Sequence, residues 1–277
     1  KRLNVMAQGY RRGEVKNAPL IYVFAMIRIQ DIRSYARYMS DVQENLRDKL
    51  PNYYEQKSSD KNIQINQDGT VNTITNDRVN FYFSDLENKK GIMVKDDRIV
   101  LHSTSYTRFD DFRGFFEPII EEVKRTMKIA YYKGSGIRYV DHVKPIGDVR
   151  INDIVCDERF LPKVFVDDQS GGANEQSQIE LYNATKFGNL IVRGTYLKKQ
   201  PPVHPSILNS YSVIGGDESV EETLVIDTDH VDYENNQKLK EFDVSKVFDH
   251  IDELHEVCHK VFEETVNIEA LESANDN

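Results

Sequence analysis

Two histidines and a glutamate near the end of the chain have the spacing of a zinc peptidase motif. His255, Glu256 and His259 form a literal H-E-x-x-H. On a helix, this spacing places two imidazoles one turn apart on the same side, where they can hold a metal ion, and it positions the glutamate to activate a metal-bound water. The motif therefore raises a zinc-dependent hydrolase as one hypothesis for this chain.

The helix that carries the motif argues against an open metal site. Apolar residues at helical spacing predict a buried stripe, which comprises Val244, Val247, Phe248, Ile251, Leu254, Cys258, Val261 and Phe262. At about 100° per residue, His255 falls within this stripe and His259 lies at its edge. We therefore expect His255 to be packed in the core.

A catalytic zinc usually also needs a third protein ligand and an open coordination position. Peptidases of this type find that ligand well downstream, whereas 18 residues follow His259 in this sequence. Asp227, Asp229 and His230 on the preceding strand could supply it, although nothing in the sequence requires that. We therefore expect no catalytic residue, no bound metal and no cofactor, and the H-E-x-x-H remains the metal site of the alternative hypothesis alone.

Two further patterns are weaker. The stretch from Asp227 to Asp232 is rich in aspartate like a calcium-binding loop, but it lacks the glycine and the distal bidentate glutamate of such loops. We interpret it as an exposed strand end. Gly134-Ser-Gly136 is too short for a phosphate cradle and lacks the Lys-Ser/Thr that follows one, so it predicts a helix cap and a turn.

The composition limits the classes of protein to which this chain can belong. Hydrophobic residues make up 39% of the chain and charged residues 30%, as is typical of soluble globular proteins. The longest apolar run, Pro19 to Ile27, is shorter than the roughly 18 to 20 residues that a membrane span needs, and no signal-peptide pattern is visible. Cys156 and Cys258 offer neither a disulfide framework nor a metal knuckle. We expect a cytoplasmic protein that does not enter a membrane.

The formal net charge of −10 is unevenly distributed. Residues 1–150 sum to +6 and residues 151–277 to −16, which together give −10. Basic residues concentrate near the start, at Lys1, Arg2, Arg11, Arg12, Lys16, Arg28, Arg33 and Arg37. Solvated surfaces explain this split, and so does a polar dimer or a surface that recognises a cationic protein. The acidic total disfavours broad nucleic-acid binding, although the basic N-terminal part keeps a nucleic-acid sensor as an alternative.

The order of predicted elements suggests an α+β fold. Ile21–Ile29 is apolar on both faces like a central strand, and amphipathic helices are predicted at 31–50, at 109–127 and at 244–266. Pro118 predicts a kink or a later start in the second helix. Because strand, helix, three or more strands and a long helix occur twice, we predict antiparallel sheets with long packed helices and a tandem duplication of a β-α-β-β-β-α unit. A single α+β domain is the alternative.

Four segments follow from this order. We predict a flexible basic N-terminal segment over 1–18, a first half over 19–133, a second half over 134–268 and an acidic tail over 269–277. The connections at 167–175 and 198–217 are polar and rich in glycine or proline. Loops of that length are uncommon in compact domains unless they are functional or disordered, so a binding role for one of them is a hypothesis.

Several short motifs, in this order, resemble a family of bacterial proteins of similar length that is distributed sporadically among genomes and has no established activity. The matching pieces are Asn17–Arg28, Phe83–Asp85, Asp97–Thr104, Tyr106–Phe109, Gly136–His142, Leu254–His255 and Phe262–Glu263. The resemblance implies no catalytic residue, and the family's last helix has a counterpart of His255 but not of Glu256 or His259. Its patchy distribution resembles that of defence, toxin–antitoxin and immunity genes.

These observations together predict a non-enzymatic, cytoplasmic binding or regulatory protein. We expect a protein partner in a bacterial defence (antiviral), toxin–antitoxin or immunity system, and a homodimer is a further expectation from the opposite charges of the two halves and from exposed sheet edges. A zinc-dependent hydrolase and a nucleic-acid sensor remain the alternatives.

Overall fold

In the computed structural model, the chain is described at residue 15 and over residues 18–65, 71–163, 176–198, 222–232 and 238–273. For strand residues 58–65 and 71–77 the backbone alone is described. The predicted segment 1–18 and the predicted loops 167–175 and 198–217 lie outside these residues, apart from Val15, Ala18 and Lys198.

The described strands form one antiparallel sheet. They are β1 (Leu20–Ile29), β2 (Asn52–Ile65), β3 (Val71–Ser84), β4 (Lys90–Val94), β5 (Arg98–Ser103), β6 (Tyr131–Val143), β7 (Gln176–Ala184), β8 (Asn189–Lys198), β9 (Glu222–Val231) and β10 (Lys240–Glu241). Their order across the sheet is β2-β3-β4-β5-β1-β6-β9-β8-β7, and β10 pairs with β6. The chain is therefore an α+β protein, as predicted.

Five helices occur within the described residues. They are α1 (Met39–Leu46), α2 (Phe109–Met127), α3 (Ile151–Ile154), α4 (Val244–Thr265) and α5 (Ile268–Ser273). The two long helices, α2 and α4, bury their apolar stripes in one core with the strands, and they also contact each other. None of the described helices is long and apolar enough to cross a membrane.

The periodicity of the two long helices predicted their buried faces. In α2 the apolar stripe at helical spacing is buried throughout: Phe109, Phe112, Phe116, Ile119, Ile120, Val123 and Met127. The helix begins at Phe109 and runs through Pro118, so of the two expected effects of Pro118, a kink or a later start, the later start does not occur. In α4 the buried residues include His255 beside the predicted stripe, which confirms that His255 is packed in the core.

The centre of the sheet is the pair formed by β1 and β6. Their antiparallel register runs from Leu20 opposite Asp141 to Ile29 opposite Tyr132. In β1, the side chains toward the helices, such as Val23 and Ile27, are fully buried. The other sheet face carries a second apolar cluster of Tyr22, Tyr82, Met93, Val100, Val140 and Val225. The interpretation of β1 as a central strand is thereby confirmed.

In each half of the chain, a later strand pairs with the first strand of that half. β5 comes back to pair with β1, and β9 comes back to pair with β6. A long helix follows each return, α2 in the first half and α4 in the second. One sheet therefore contains both halves, with the first half at one end and the second half at the other.

The predicted extent of the first helix was wrong. The helix predicted over 31–50 is confined to a 3-10 turn at Tyr35–Tyr38 followed by α1. Its start is displaced because Asp31 binds the Lys133 ammonium at 2.6 Å and the Ile32 N–H donates to the Asp96 carbonyl at 2.8 Å. These contacts hold residues 31 and 32 against the neighbouring strands, so the helix does not begin there.

The turn predicted at Gly134–Gly136 lies inside β6. A Cβ on Gly136 would lie 2.7 Å from Val231 Cγ1 and 3.1 Å from the His230 carbonyl oxygen. Glycine is therefore needed here for the close approach of β9, and not for a turn. The predicted boundary between residues 133 and 134 falls within this strand.

The stretch predicted as an acidic tail begins within a helix. Residues 268–273 form α5, and Leu271 in it is only 1% exposed. Residues 274–277 lie outside the described residues.

Adjacent phenylalanines on α2 test which face of this helix supports the core. Phe116 is fully buried, whereas Phe115 is half-buried, with the Lys90 ammonium 5.0 Å from its ring centroid. We expect Phe116→Ala to lower the free energy of unfolding by about 3–5 kcal/mol and Phe115→Ala to lower it clearly less, in urea denaturation followed by circular dichroism. Equal losses in the two variants would contradict this assignment of the buried face.

Candidate functional site

The H-E-x-x-H motif lies in a groove between the start of α2 and the outer face of α4, here named the α2–α4 groove. Its volume is about 390 Å³. From α4 it is lined by Asp252, His255, Glu256 and His259, and from α2 by Asp110 among others. The two helices pack side by side on the same sheet face and are joined by Arg113 of α2 and Asp249 of α4, and the groove lies beside this contact.

His255 is held rigidly at the floor of this groove. It is 7% exposed, and its Nδ1 lies 2.7 Å from the Tyr139 hydroxyl on β6. Its ring stacks on Phe109, with centroids 5.0 Å apart and planes 10° apart. Since Nδ1 faces the sheet, Nε2 lies on the other side of the ring, away from Tyr139.

His259 runs parallel to His255 and does not converge with it on a third ligand. The two ring centroids are 5.9 Å apart with planes 13° apart. His259 Nε2 lies 3.9 Å from Glu263 Oε1. Its buried Nδ1 makes no hydrogen bond with the part of the chain that the structure describes. The predicted pair of imidazoles is thus brought close together, but no described third ligand completes a peptidase-type site.

The side chains that could ligate a metal ion and that do lie close together include Asp252, which the sequence did not predict. Asp252, His255 and Glu256 each offer one ligand atom, and these atoms all lie within 4.8 Å of one another. Among the described residues, no other group of three or more His, Cys, Asp or Glu side chains meets this condition. The spacing of Asp252, three residues before His255 and four before Glu256, is the signal that could have identified it.

The groove carries an excess of negative charge. Burial raises the pKa of Asp252, and the nearby carboxylates of Glu256, Asp110 and Asp249 raise it further, while Arg113 opposes them. Arg113 is itself engaged, with Nη1 2.7 Å from Asp249 Oδ1. A positive charge that entered the groove would relieve this repulsion.

His230, one of the predicted third ligands, is occupied elsewhere. It is fully buried on the helix side of β9. Its Nδ1 lies 3.1 Å from the Leu254 carbonyl oxygen, and its Nε2 lies 2.8 Å from Thr185 Oγ1. Both ring nitrogens therefore have partners, and the ring helps to join α4 to the sheet.

Asp227 and Asp229, the other predicted third ligands, lie on the opposite face of the sheet. Alternation along β9 separates them from Thr228 and His230. Asp227 accepts a hydrogen bond from Arg138 Nε at 2.6 Å, and Arg138 is the neighbour of Tyr139 that points away from the helices. These residues form a paired strand, so the calcium-loop pattern is not an exposed strand end, and neither aspartate reaches His255.

This opposite face holds a charged cluster of its own. Arg193 on β8 donates from Nε to Glu180 at 2.8 Å, and its Nη1 lies 3.6 Å from Asp227 and 3.9 Å from Asp229. Burial raises the pKa of Asp229 to about 6; Arg138 and Arg193 oppose the rise, and Asp227 adds to it. Of the carboxylates in this cluster, Asp229 is the one whose negative charge is least compensated by the neighbouring arginines.

The raised pKa of Asp229 predicts a pH-dependent cost to stability. The unfolded carboxyl titrates near 3.9, so between about pH 4 and pH 6 the folded state holds a proton that the unfolded state has released. Stability is therefore lost as pH rises through this window. We expect Asp229→Asn to be more stable than the wild type at pH 7, by at most about 3 kcal/mol, and the difference to vanish near pH 4.

Urea denaturation at pH 4, 5, 6 and 7 measures this difference. A gap between variant and wild type that stays constant across the four pH values would show that the ionisation of Asp229 is not its source.

Neither the scan against protein-family models nor the search of curated proteins finds a match for this chain. The roles assigned to the groove residues therefore depend on their geometry and chemistry.

Proposed function

We propose that the protein is a non-enzymatic binding or regulatory protein that recognises a positively charged protein partner through an acidic stripe on α4. The acidic stripe comprises Asp249, Asp252, Glu253 and Glu256. These positions follow the i, i+3, i+4, i+7 spacing, so all four carboxylates share one side of the helix. This row of four carboxylates, in which Asp249 meets Arg113 and Glu253 meets His250, is the observation that carries the proposal.

The acidic stripe lowers the stability of helix α4. It contains four like-charged pairs three or four residues apart, and each destabilises a helix by about 0.2–0.5 kcal/mol, so the total is about 1–2 kcal/mol. Arg113 offsets part of this cost at Asp249. A local arrangement that disfavours folding without an evident structural gain is expected at functional sites. Binding a cationic group would remove the cost.

The charge of the whole molecule supports the same partner. By sequence, the first half (residues 19–133) carries +1 and the second half (residues 134–268) carries −12, and the described strands of the two halves lie at opposite ends of the sheet. Helix α4 alone has six acidic residues against two lysines, a difference of −4. Such a field accelerates the encounter with a basic protein surface. A second copy in antiparallel orientation would also match it, so sedimentation must accompany any binding assay.

The two alternatives make different demands. A zinc-dependent hydrolase at His255, Glu256 and His259 needs a further ligand that none of the described residues supplies within reach of both imidazoles. A nucleic-acid sensor would use the basic N-terminal part, of which Arg28, Arg33 and Arg37 are described. It predicts oligonucleotide binding that falls steeply with salt.

The cellular setting is also part of the proposal. Cys156 and Cys258 form no disulfide, and Cys258 is buried in the core, which is consistent with a reducing cytoplasm. A role in a bacterial defence, toxin–antitoxin or immunity system is supported by the family resemblance alone. Detection of the protein in a cytoplasmic fraction tests the location.

We also propose that the chain contains a tandem duplication of a β-α-β-β-β-α unit, to which β2 in the first half and β10 in the second are additions. The supporting observation is the equivalent return of β5 to β1 and of β9 to β6, each followed by a long helix. A single rotation should then superpose β1, β5, β4 and α2 on β6, β9, β8 and α4. Helices that fail to coincide when the strands are superposed would argue against it.

A labelled oligolysine peptide tests the acidic stripe as a cation-binding surface. We expect the full chain to bind it with an affinity that falls as salt rises, because exposed charges are screened. Glu253→Lys, which reverses one charge of the stripe, should weaken binding by about tenfold, equivalent to about 1.4 kcal/mol. Fluorescence anisotropy measures the affinity, and sedimentation reports self-association.

Glu44→Lys is the matched control, because it makes the same charge change at an exposed position on α1, where Glu44 pairs with Arg47 at 3.0 Å. It should leave oligolysine binding almost unchanged. Equal weakening by the two variants would mean that net charge, and not the stripe, determines binding.

A further inference from the structure

We propose that the groove side of α4 binds one divalent first-row transition-metal ion through Asp252, His255 and Glu256. The inference goes beyond the proposed function because it needs no protein partner. The two proposals have one assumption in common, which is that the negative charge on α4 attracts a cation.

The three ligands are placed by a single long helix. Their ligand atoms already lie within 4.8 Å of one another, and α4 is anchored along its length by a fully buried stripe. Glu256 is exposed and Asp252 is partly exposed, so both carboxylates are free to rotate toward an ion. His255 cannot rotate in this way and acts as the fixed point of the site.

The orientation of His255 matches that of a metal ligand. Ligating histidines almost always hydrogen-bond through the ring nitrogen that does not bind the metal. Here Nδ1 meets the Tyr139 hydroxyl at 2.7 Å, and that hydroxyl lies 3.4 Å from the hydroxyl of Tyr106. Tyr139 can therefore accept the Nδ1 proton and direct its own toward Tyr106. That tautomer leaves the lone pair on Nε2, on the side of the ring away from the sheet.

Charge and ligand chemistry indicate the class of ion. Two carboxylates and a neutral imidazole carry −2, which a divalent ion neutralises. Asp110, Asp249 and Glu263 add negative charge nearby, and Arg108, Arg113 and Lys260 offset part of it. A mixed nitrogen and oxygen set suits zinc, cobalt, nickel, iron or manganese, whereas magnesium and calcium prefer oxygen alone. Three protein ligands leave coordination positions open to water or to a partner's side chain.

This site differs from the H-E-x-x-H of a zinc peptidase in one ligand and one role. Asp252 replaces His259 as a ligand, and Glu256 binds the ion instead of activating a water. The difference makes the two sites separable by substitution, because each depends on a residue that the other does not need.

The test is a calorimetric titration of the full chain, stripped with a chelator and dialysed, with Co²⁺, with Zn²⁺ and with Mg²⁺. We expect one Co²⁺ or Zn²⁺ per chain and no comparable binding of Mg²⁺. Asp252→Asn should weaken Co²⁺ binding at least about tenfold. Its metal-free melting temperature should not fall, because the substitution removes a like charge from the acidic stripe, so lost binding cannot be attributed to unfolding.

Two controls keep the helix and most of its charge. His259→Gln removes the second imidazole of the H-E-x-x-H, and Glu264→Gln removes an exposed carboxylate of α4 that does not line the groove. Both should bind Co²⁺ like the wild type. Tyr139→Phe, which tests the positioning of His255, should lower the affinity about 10–100-fold at unchanged stoichiometry. If Tyr139 had only a structural role, Tyr139→Phe would lower the melting temperature of the protein without changing its affinity for Co²⁺.

Binding that survives Asp252→Asn but is lost in His259→Gln would overturn the proposal in favour of the H-E-x-x-H. Failure of Co²⁺ and Zn²⁺ to bind, or equal weakening by Asp252→Asn and Glu264→Gln, would also overturn it. These outcomes are distinguishable from failure of the proposed function, which is read separately from the effect of Glu253→Lys on oligolysine binding.

Discussion

The antiparallel pairing of β1 with β6 is the contact on which the rest of the structure depends. These strands belong to different halves of the chain, and their ladder runs almost the full length of β1. Because it makes one sheet of both halves, the helices that follow each half, α2 and α4, lie on the same face and contact each other. Without that ladder no element would bring the start of α2 beside the middle of α4, and the groove would not exist.

The position of α4 then determines what its polar residues can do. Its apolar stripe must face the sheet, so His255, at the margin of that stripe, meets Tyr139 from β6 and Phe109 from α2. The acidic stripe, on the remaining surface, is left as a row of like charges. The same helix therefore has an imidazole fixed by its contacts on one side and exposed or partly exposed carboxylates beside it. The cost in helix stability and the proposed capacity to bind a cation have one origin.

Sequence patterns predicted some features well and others poorly, for identifiable reasons. The buried face of α2 and the burial of His255 follow from helical periodicity, which is a local property of the chain. Asp31 and Gly136 were misinterpreted because their roles come from remote contacts, with Lys133 for the first and with β9 for the second. Asp252 was not predicted because it lies outside the H-E-x-x-H pattern, although its spacing to His255 is equally compatible with binding one metal ion together with His255.

By itself, the sequence determined the class of the fold, the two long amphipathic helices, the burial of His255 and the acidic character of the second half, because each depends on neighbouring residues or on composition. Only the tertiary structure decided which groups surround His255. It placed Asp227 and Asp229 on the far face of the sheet, engaged His230 with Leu254 and Thr185, and set Tyr139 against Nδ1 of His255. The reason is physical: strand register and the packing of helices on the sheet bring together residues that are 24 to 116 positions apart, and no local pattern encodes these contacts.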